Sequence, residues 1–283
     1  MLNILVTGAN GQLGSEVRHI AEEFKTDFSF HFVTRSELDL TSEHLVESFL
    51  LNYKIDGILN AAAYTAVDLA EKESERAMEG NVTIPSILAK LCKKHSLKLL
   101  HFSTDFVFDG KSFHPYNESD KIAPISIYGQ SKAEGERAVL SQYHESKLIR
   151  TSWVYSKFGH NFLKTILRLS AEKPELRVIA DQIGSPTWAR DLARASLSLL
   201  KSDATGIFHF SNEGVASWYD FAKAILEEGG KQTPIIPIET KDYPTPATRP
   251  PYSVLNKSRI KQTLNIQIPH WRDSLRNCMS EIL

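Results

Sequence analysis

Residues 7–14 read Thr-Gly-Ala-Asn-Gly-Gln-Leu-Gly, and this stretch decides the fold. It follows an apolar, β-branched run at residues 3–7 that predicts a buried strand, and it leads into residues 12–24, where apolar positions recur at helical spacing. The glycines suit a tight turn off a strand, close approach of the backbone to a pyrophosphate, and close packing of helix on sheet. A plain structural turn would also explain them, but their position after the first strand favours a dinucleotide site at Gly8, Gly11 and Gly14.

Short β-branched runs alternate with longer amphipathic stretches as far as residue 151. Strands joined through helices form parallel sheets, so we predict an α/β fold with a Rossmann-type, doubly wound parallel sheet. Residues 1–151 would be the NAD(P)-binding domain. The predicted strands are 3–7, 30–34, 57–61, 97–103 and 147–151, and the predicted helices are 12–24, 42–52, 66–80, 84–95 and 128–140.

The alternation loosens after residue 151, where prolines, glycines and short helices interleave. We predict that residues 152–283 form a smaller, mainly substrate-binding region, with some elements returning to the main sheet. Four prolines in residues 243–251 predict a rigid loop. The predicted helices here are 161–171, 188–201, 218–228 and 271–282, and the predicted strands are 177–180, 206–210 and 235–238.

The composition of the 283 residues excludes several classes of protein. Hydrophobic residues make up 42% and charged residues 24%, which is the balance of an ordinary globular protein and not of a disordered one. A formal net charge of -1 provides no overall field for nucleic acid or an anionic membrane. Cys92 and Cys278 are too few for a disulfide framework or a cysteine zinc site, and the histidines lack metal-ligand spacing. Without a signal-peptide pattern or a membrane-length apolar run, a cytoplasmic protein is expected.

Arg35 bears on the choice of cofactor. An acidic residue about 20 positions after the glycines typically accepts a hydrogen bond from the free ribose 2′-hydroxyl of NAD. This sequence has Thr34, Arg35 and Ser36 there, and a guanidinium beside hydroxyls suits a 2′-phosphate better. We therefore predict a preference for NADPH, with NADH as the alternative. The competing interpretation is that Arg35 only pairs with Glu37 or Asp39.

Tyr128 and Lys132 lie one helical turn apart. A nearby ammonium stabilises a phenolate, so Lys132 is expected to lower the pKa of Tyr128 and suit it to acid catalysis. Tyr128 opens the helix after the fourth strand, at the sheet edge where ligands bind, whereas Tyr143 falls at the opposite edge. Tyr219 is an alternative candidate for the acid, but it lies beside what looks like the packed face of its helix. The spacing occurs at Tyr128/Lys132, Tyr143/Lys147 and Tyr219/Lys223.

Thr104 ends the fourth predicted strand, at the same edge as Tyr128. A hydroxyl there can donate a hydrogen bond to a carbonyl oxygen that gains negative charge during hydride attack. A turn or helix-capping role is the alternative. Together with Tyr128 and Lys132, Thr104 favours a reductase that transfers hydride to a carbonyl.

These residues resemble the extended short-chain dehydrogenase/reductases, and within them the reductases of dTDP-4-keto-6-deoxy sugars. The resemblance covers essentially the whole chain. Its most specific parts are Arg-Thr-Ser-Trp-Val-Tyr at 150–155 and Asp-Gln-Ile-Gly-Ser-Pro-Thr at 181–187. The matching stretches are 7–14, 60–68, 103–110, 128–136, 150–155, 161–169, 181–191 and 247–250.

The resemblance implies an NADPH-dependent reduction of the C4 keto group of dTDP-4-dehydro-β-L-rhamnose to dTDP-L-rhamnose, for surface polysaccharide. Tyr128 would be the acid, Lys132 its partner and a ligand of the nicotinamide ribose, and Thr104 the hydroxyl that orients the carbonyl. Asp105 and Trp153 would contact the sugar nucleotide together with Thr104. The residues that would line the cofactor are Asn10, Gly11, Gln12, Leu13, Asp39, Leu40, Ala62, Ala63 and Tyr64.

Two departures from the family pattern keep alternatives open. Phe106 stands where family members usually carry Tyr, so the enzyme could instead reduce or epimerise another dTDP-4-keto-6-deoxy sugar. Some relatives bind Mg²⁺ through carboxylates near a subunit contact. Of the matching positions here, Glu16 is acidic and Arg190 is basic, which argues against a metal-bridged homodimer. A cofactor-binding regulatory subunit without turnover is a further alternative, which the intact set of Thr104, Tyr128 and Lys132 disfavours.

Overall fold

Twelve strands and eleven α-helices alternate along the chain in the computed structural model, which describes residues 1–283. The strands are β1 (Leu2–Thr7), β2 (Phe28–Phe32), β3 (Gly57–Asn60), β4 (Lys98–Thr104), β5 (Lys147–Thr151), β6 (Val154–Tyr155), β7 (Leu176–Ile179), β8 (Ile183–Gly184), β9 (Thr187–Trp188), β10 (Gly206–His209), β11 (Ala216–Ser217) and β12 (Ile235–Ile238). The helices are α1 (Gln12–His19), α2 (Glu43–Asn52), α3 (Val67–Ala70), α4 (Ser74–Met78), α5 (Ile84–His95), α6 (Ile127–Gln142), α7 (Phe162–Glu172), α8 (Ala189–Lys201), α9 (Trp218–Glu228), α10 (Ser258–Leu264) and α11 (Trp271–Met279).

The main sheet has six strands in the order β10-β5-β4-β3-β1-β2, and every neighbouring pair is parallel. The predicted doubly wound α/β fold is therefore confirmed. The chain moves outward from β1 in one direction to β2 and in the other to β3, which makes the β1/β3 edge the switch point where ligands bind in such sheets. β10 lies beyond residue 151 and extends the sheet next to β5, so the predicted strand at 206–210 joins the main sheet.

Helices cover both faces of the sheet because buried strand residues alternate between them. Ile4 and Val6 belong to an apolar cluster with residues of α1, α8 and α10. Leu5, between them in sequence, belongs to a second cluster with residues of α2, α5 and α6. The near-continuous apolar character of β1 is what a strand buried on both sides requires.

A smaller unit follows β5 and has a core of its own. Residues from α7, α9 and α11 pack around Tyr155, Phe221 and Trp271. The predicted strands at 177–180 and 235–238 pair in parallel with each other as β7 and β12 and do not enter the main sheet. The domain boundary at residue 151 stays a prediction.

One predicted helix is wrong. Residues 66–80 do not form a continuous helix: they give α3 and α4, and a π-helical turn at Glu79–Thr83 then leads into α5. Long-range packing accounts for the wide turn, since α6 lies directly against it. A Cβ added at Gly135 would come within 2.0 Å of the Asn81 carbonyl oxygen.

Helix α10 was not predicted, and the helices predicted at 12–24 and 271–282 end at His19 and Met279. None of the helices combines the length and the apolar character needed to cross a membrane.

Candidate active site

The glycine turn between β1 and α1 depends on two close approaches. Gly8 has a φ of +64°, and a Cβ there would lie 2.7 Å from the backbone of Ala61 and Ala62. At Gly14 a Cβ would lie 2.4 Å from the Gly8 carbonyl oxygen. Any larger side chain would push β1 away from the end of β3 or α1 away from the turn. The turn therefore brings a bare backbone to the switch point of the sheet.

The N-terminus of α1 is left open towards this turn. Gly11 is the N-cap, so no side chain accepts a hydrogen bond from the first N–H groups, and the first turn carries no acidic residue. Free N–H groups and the positive end of the helix dipole together suit a pyrophosphate.

A pocket of about 300 Å³ lies beside the turn. Gly8 and Gly11 form one side, and an open cleft next to it is lined by Asn10, Arg35 and Ser36. The pocket brings together most of the cofactor residues expected from the sequence. Its other lining residues are Val33, Thr34, Arg35, Leu38, Asp39, Leu40, Thr41, Ala61, Ala62, Ala63, Tyr64, Arg76, Glu79, Gly80 and Ile84.

Arg35 stands at this pocket with its guanidinium largely unpaired. Its side chain is 86% exposed, and the carboxylate within 4.0 Å of it is that of Glu79. Glu37 and Asp39 accept hydrogen bonds from nearby threonines instead. Arg35 forms no ion pair with either of them within 4.0 Å, although, after the hydrogen bonds from Thr41, its charge helps to lower the pKa of Asp39. The role of Arg35 at the cofactor stays a prediction.

Three residues of the glycine-rich stretch point elsewhere. The Gln12 Oε1 accepts a hydrogen bond from Asn161 Nδ2 at 2.9 Å, which ties α1 to the N-cap of α7. Leu13 packs against the apolar cluster under the sheet, and Gly14 is buried within α1. The side chains of Gln12 and Leu13 hold the helix in place, and none of the three residues lines the pocket.

Tyr128 lies in the first turn of α6, at the end of the sheet from which the glycine turn also leaves. Ser126 caps this helix by accepting a hydrogen bond from the N–H of Gly129 at 3.2 Å. Tyr128 is 9% exposed and belongs to the same apolar cluster as Tyr64, which lines the cofactor pocket. The predicted acid and the pocket are thus joined through one tyrosine.

Lys132 is buried one turn further along α6, and its Nζ donates to the carbonyl oxygen of Phe102 in β4 at 2.6 Å. Burial lowers the pKa of Lys132 to about 8, while Glu136 acts in the opposite direction. Burial raises the pKa of Tyr128 to about 12, and a hydrogen bond with Thr104 acts against this rise. The prediction that Lys132 lowers the phenol's pKa is wrong for this arrangement, because desolvation dominates and the ammonium is engaged by Phe102.

Thr104 and Asp105 follow at the end of β4. The Thr104 hydroxyl donates to Asp105 Oδ1 at 2.9 Å and accepts from the N–H of Phe106 at 3.3 Å. Asp105 is 2% exposed, and its Oδ2 has no hydrogen-bond partner. Burial raises the pKa of Asp105 to about 6. A buried acceptor without a partner is costly, which makes this oxygen a candidate contact for a ligand.

Trp153 follows β5, two residues after Thr151, which pairs with Thr104 across the sheet, and it packs against the core of the smaller unit. It has a φ of +48°, which is uncommon for a residue with a Cβ. Its ring stacks on Trp218 with centroids 3.6 Å apart, and its other side lies against Gly184. Contacts with Trp218 and Gly184 therefore fix the position of the Trp153 ring.

Comparison with known proteins agrees with the family that the sequence resembles. A family model described as RmlD substrate binding domain matches residues 2–283. The chain belongs to the RmlD substrate binding domain family. This RmlD-family chain is 41% identical over 295 residues to a dTDP-4-dehydrorhamnose reductase from Aggregatibacter actinomycetemcomitans, covering 98% of both chains. It is 40% identical over 281 residues to the spore coat polysaccharide biosynthesis protein SpsK of Bacillus subtilis (strain 168), covering 99% of this chain and 98% of the relative.

A solved structure of a related protein agrees with the match to the RmlD family. The crystal structure of dTDP-4-dehydrorhamnose reductase from Bacillus anthracis str. Ames, in complex with NADP, superimposes with a TM-score of 0.95. The two chains are 35% identical, and the alignment covers 99% of each. The resemblance inferred from the sequence is confirmed at the level of family and fold.

The residues of this RmlD-family chain do not fit Mg²⁺. Both oxygens of Glu16 are already occupied: Oε1 accepts from Ser156 at 2.6 Å and Oε2 from Arg190 Nε at 2.8 Å. Arg190 also donates to both oxygens of Glu281, so a guanidinium lies between the two carboxylates. No group of three or more His, Cys, Asp or Glu side chains is arranged to hold a metal.

Sequence reasoning missed two supports of the site. The buried Asn81 amide bonds to the N–H and C=O of Tyr64 and to Ser131 Oγ, so it joins the pocket to α6. The buried Arg150 guanidinium donates to both oxygens of Glu136, the carboxylate that raises the pKa of Lys132. Arg150 was visible as the first residue of a specific motif, but the partner of Asn81 depends on a contact that no local pattern reports.

Proposed function

We propose that this chain is an NADPH-dependent reductase that converts the C4 keto group of dTDP-4-dehydro-β-L-rhamnose into the hydroxyl of dTDP-L-rhamnose. The observation that supports the proposal is that Thr104 ends β4 and that Tyr128, one turn before Lys132 in α6, packs in one cluster with Tyr64, which lines the pocket beside the glycine turn. Family membership supports the substrate, because relatives of 41% identity carry the name dTDP-4-dehydrorhamnose reductase. The product would serve the synthesis of surface or spore-coat polysaccharide.

The cofactor would be held by complementary features of the pocket. The N–H groups at the start of α1 and the bare turn at Gly8 suit the pyrophosphate, and Arg35 suits the 2′-phosphate. The apolar walls at Leu38 and Ile84 suit the adenine. NADPH, when bound, supplies the hydride.

The protein's own groups handle the proton and the developing charge. Tyr128 stays protonated at neutral pH and donates its phenolic hydrogen to the C4 oxygen as that oxygen gains charge. Thr104 donates a hydrogen bond to the same oxygen. Lys132 stabilises the phenolate left on Tyr128, for which its ammonium must turn from the Phe102 carbonyl. One hydride and one proton added to the carbonyl balance the reduction to an alcohol.

The test measures NADPH oxidation with the 4-keto sugar nucleotide and identifies the product. We expect Tyr128→Phe to lower kcat by roughly 10²–10⁴-fold while NADPH still binds, because only the proton donor is removed. Tyr219→Phe is the matched control, since Tyr219 has the same spacing to a lysine but packs in the C-terminal unit, and its turnover should be unchanged. The site assignment fails if the two variants exchange these results.

Two rivals remain distinguishable by the same assay. Phe106 packs edge-on against Tyr128, with centroids 5.5 Å apart, so it lies where it can influence which sugar is accepted. Another dTDP-4-keto-6-deoxy sugar would then give a different product. Tight NADPH binding without oxidation by any keto-sugar nucleotide would instead indicate a regulatory subunit.

We also propose that residues 152–283 hold the sugar nucleotide, with Asp105 and Trp153 as contacts. The cytoplasmic location and the homodimer stay predictions.

A further inference from the structure

The Thr104 hydroxyl has more potential hydrogen-bond acceptors than it can donate to at one time. A hydroxyl carries one hydrogen, so it donates one hydrogen bond at a time. In the structure this hydrogen goes to Asp105 Oδ1 at 2.9 Å. The hydroxyl oxygen already accepts from the N–H of Phe106, and the Tyr128 phenol is a further hydrogen-bonding neighbour of the hydroxyl. Thr104 therefore cannot donate to a substrate oxygen while Asp105 holds its hydrogen.

Asp105 is placed where either of its protonation states can be accommodated. The carboxyl group is 2% exposed, and its Oδ2 has no partner. Its neighbours are the hydroxyls of Thr104 and Ser253 and the backbone N–H of Phe106, and it takes part in no ion pair. The titratable group facing it is the Tyr128 phenol on α6, whose pKa the charge on Asp105 raises. No cation therefore locks Asp105 as a carboxylate.

We propose that Asp105 is a positioning residue that sets the direction of the Thr104 hydroxyl. As a carboxylate it holds the hydroxyl's hydrogen. As a carboxylic acid it donates its own hydrogen to Thr104 Oγ1 and frees the hydroxyl to donate to the sugar's C4 oxygen. The proton comes from solvent and is not consumed, because the proton added to the product comes from Tyr128. This inference rests on the proposed function.

A second physical effect acts in the same direction. A carboxylate next to Thr104 repels the negative charge that develops on the C4 oxygen, and a protonated carboxyl removes this repulsion. Burial raises the pKa of Asp105 to about 6, so both forms are populated near neutral pH. A bound sugar that excludes water raises this pKa further, since desolvation disfavours the charged form.

The test compares pH profiles of kcat/KM, which report groups of the free enzyme. In the wild type kcat/KM should fall as pH rises through about 6, by about tenfold or more, since losing one donor to an oxyanion costs up to roughly 10²–10³. Asp105→Asn should show a flat profile over this interval, at whatever level of activity it retains, because its amide can donate to Thr104 at every pH. Thr104→Val should be less active throughout and also lack the decline.

Asp191→Asn is the matched control. Asp191 is likewise a largely buried carboxyl whose pKa burial raises, but it lies in α8 and accepts from Ser274 of α11 and from Asn212. Its substitution should leave the shape of the profile unchanged. The proposal is overturned if Asp105→Asn keeps the wild-type decline at the same pH.

A measurement without turnover separates this inference from the proposed function. The Asp105 carboxyl carbon can be titrated by NMR in the folded protein. Thr104→Val should raise the pKa of Asp105, because the hydrogen bond it removes stabilises the carboxylate. An unchanged pKa would overturn the coupling. Failure of the wild type to oxidise NADPH with the keto sugar would instead count against the proposed function and leave the NMR result standing.

Discussion

At the scale of single residues, we expect Arg35 to decide which dinucleotide the pocket prefers. Its exposed guanidinium is 4.0 Å from Glu79 and makes no closer ion pair, so it is available to a 2′-phosphate. We expect Arg35→Ala to raise the KM for NADPH about tenfold, the size of an exposed charge-assisted hydrogen bond, and to leave the KM for NADH unchanged. Steady-state kinetics with both cofactors measure this.

Arg168→Ala is the control for Arg35, because Arg168 is also exposed but pairs with Glu172 on α7. It should change neither constant. An equal loss with NADPH and NADH in Arg35→Ala would mean that the guanidinium does not read the 2′-phosphate.

A second prediction at this scale concerns the effect of Gly8 on the stability of the fold and on the affinity for NADPH. Gly8→Ala should destabilise the fold by roughly 1–3 kcal/mol for the positive φ alone, and by more because its Cβ meets the Ala61 backbone at 2.7 Å. NADPH affinity should fall as well, since the turn shifts. Urea unfolding and NADPH titration measure the two effects.

Gly230→Ala separates strain from collision. Gly230 has a similar φ of +60°, but a Cβ there meets nothing within 4 Å. The excess destabilisation of Gly8→Ala over Gly230→Ala is therefore the cost of the collision. If the two variants are equally stable, the close approach at Gly8 does not constrain the fold.

At the scale of elements, the π-helical turn at Glu79–Thr83 joins the cofactor pocket to the helix of the predicted acid. Asn81 makes three hydrogen bonds, two to the backbone of Tyr64 and one to Ser131. Asn81→Ala should cost about 1–3 kcal/mol of unfolding free energy, because it leaves buried polar groups unpaired. It should also weaken NADPH binding, since Tyr64 lines the pocket.

Asn212→Ala is the control for this element. Asn212 is equally buried and bonds to Asp191, Ser274 and the N–H of Trp188. It should lose comparable stability with NADPH affinity intact. Equal effects of the two variants on NADPH binding would show that Asn81 has only a structural role.

The elements also show why part of the site was readable from the sequence. The glycine turn, the strand ends and the Tyr128/Lys132 spacing are local patterns, and each was correctly placed at the carboxyl edge of the sheet. The direction of the Lys132 amine was not, because it depends on a carbonyl 30 residues away in β4. The π-helical turn was missed for the same reason, since Asn81 meets Ser131 across 50 residues.

At the scale of the whole molecule, a buried ion cluster joins the two parts of the chain. Glu16 in α1 and Glu281 after α11 both bind the Arg190 guanidinium of α8, and Lys157 adds a second cation at Glu281. Because a guanidinium already neutralises these carboxylates, we expect neither EDTA nor added Mg²⁺ to change activity or Tm. A Tm that rises with Mg²⁺ would show that a metal site exists after all.

Substitution of Arg190 should show how much the buried Glu16 carboxylate destabilises the fold when it has no cationic partner. Glu16 is 0% exposed, so Arg190→Gln leaves a buried charge without its partner and should cost about 3–5 kcal/mol of unfolding free energy. Arg168→Gln, which breaks an exposed pair with Glu172 on α7, should cost no more than about 0.5 kcal/mol. Urea unfolding at neutral pH measures both variants, and a loss in Arg190→Gln as small as that of Arg168→Gln would contradict the prediction.

The same cluster makes the stability of the fold depend on pH in the acidic range. Hydrogen bonds from Arg190 and Lys157 lower the pKa of Glu281 from 4.5 to about 2. A carboxyl group whose pKa is lower in the folded state contributes stability that is complete above its unfolded pKa and is lost as pH falls towards the folded one. The wild type should therefore lose this contribution between about pH 4.5 and 2. Arg190→Gln should show a smaller loss over that interval, because it has less to lose, and parallel acid-unfolding curves for the two proteins would refute the role of Arg190.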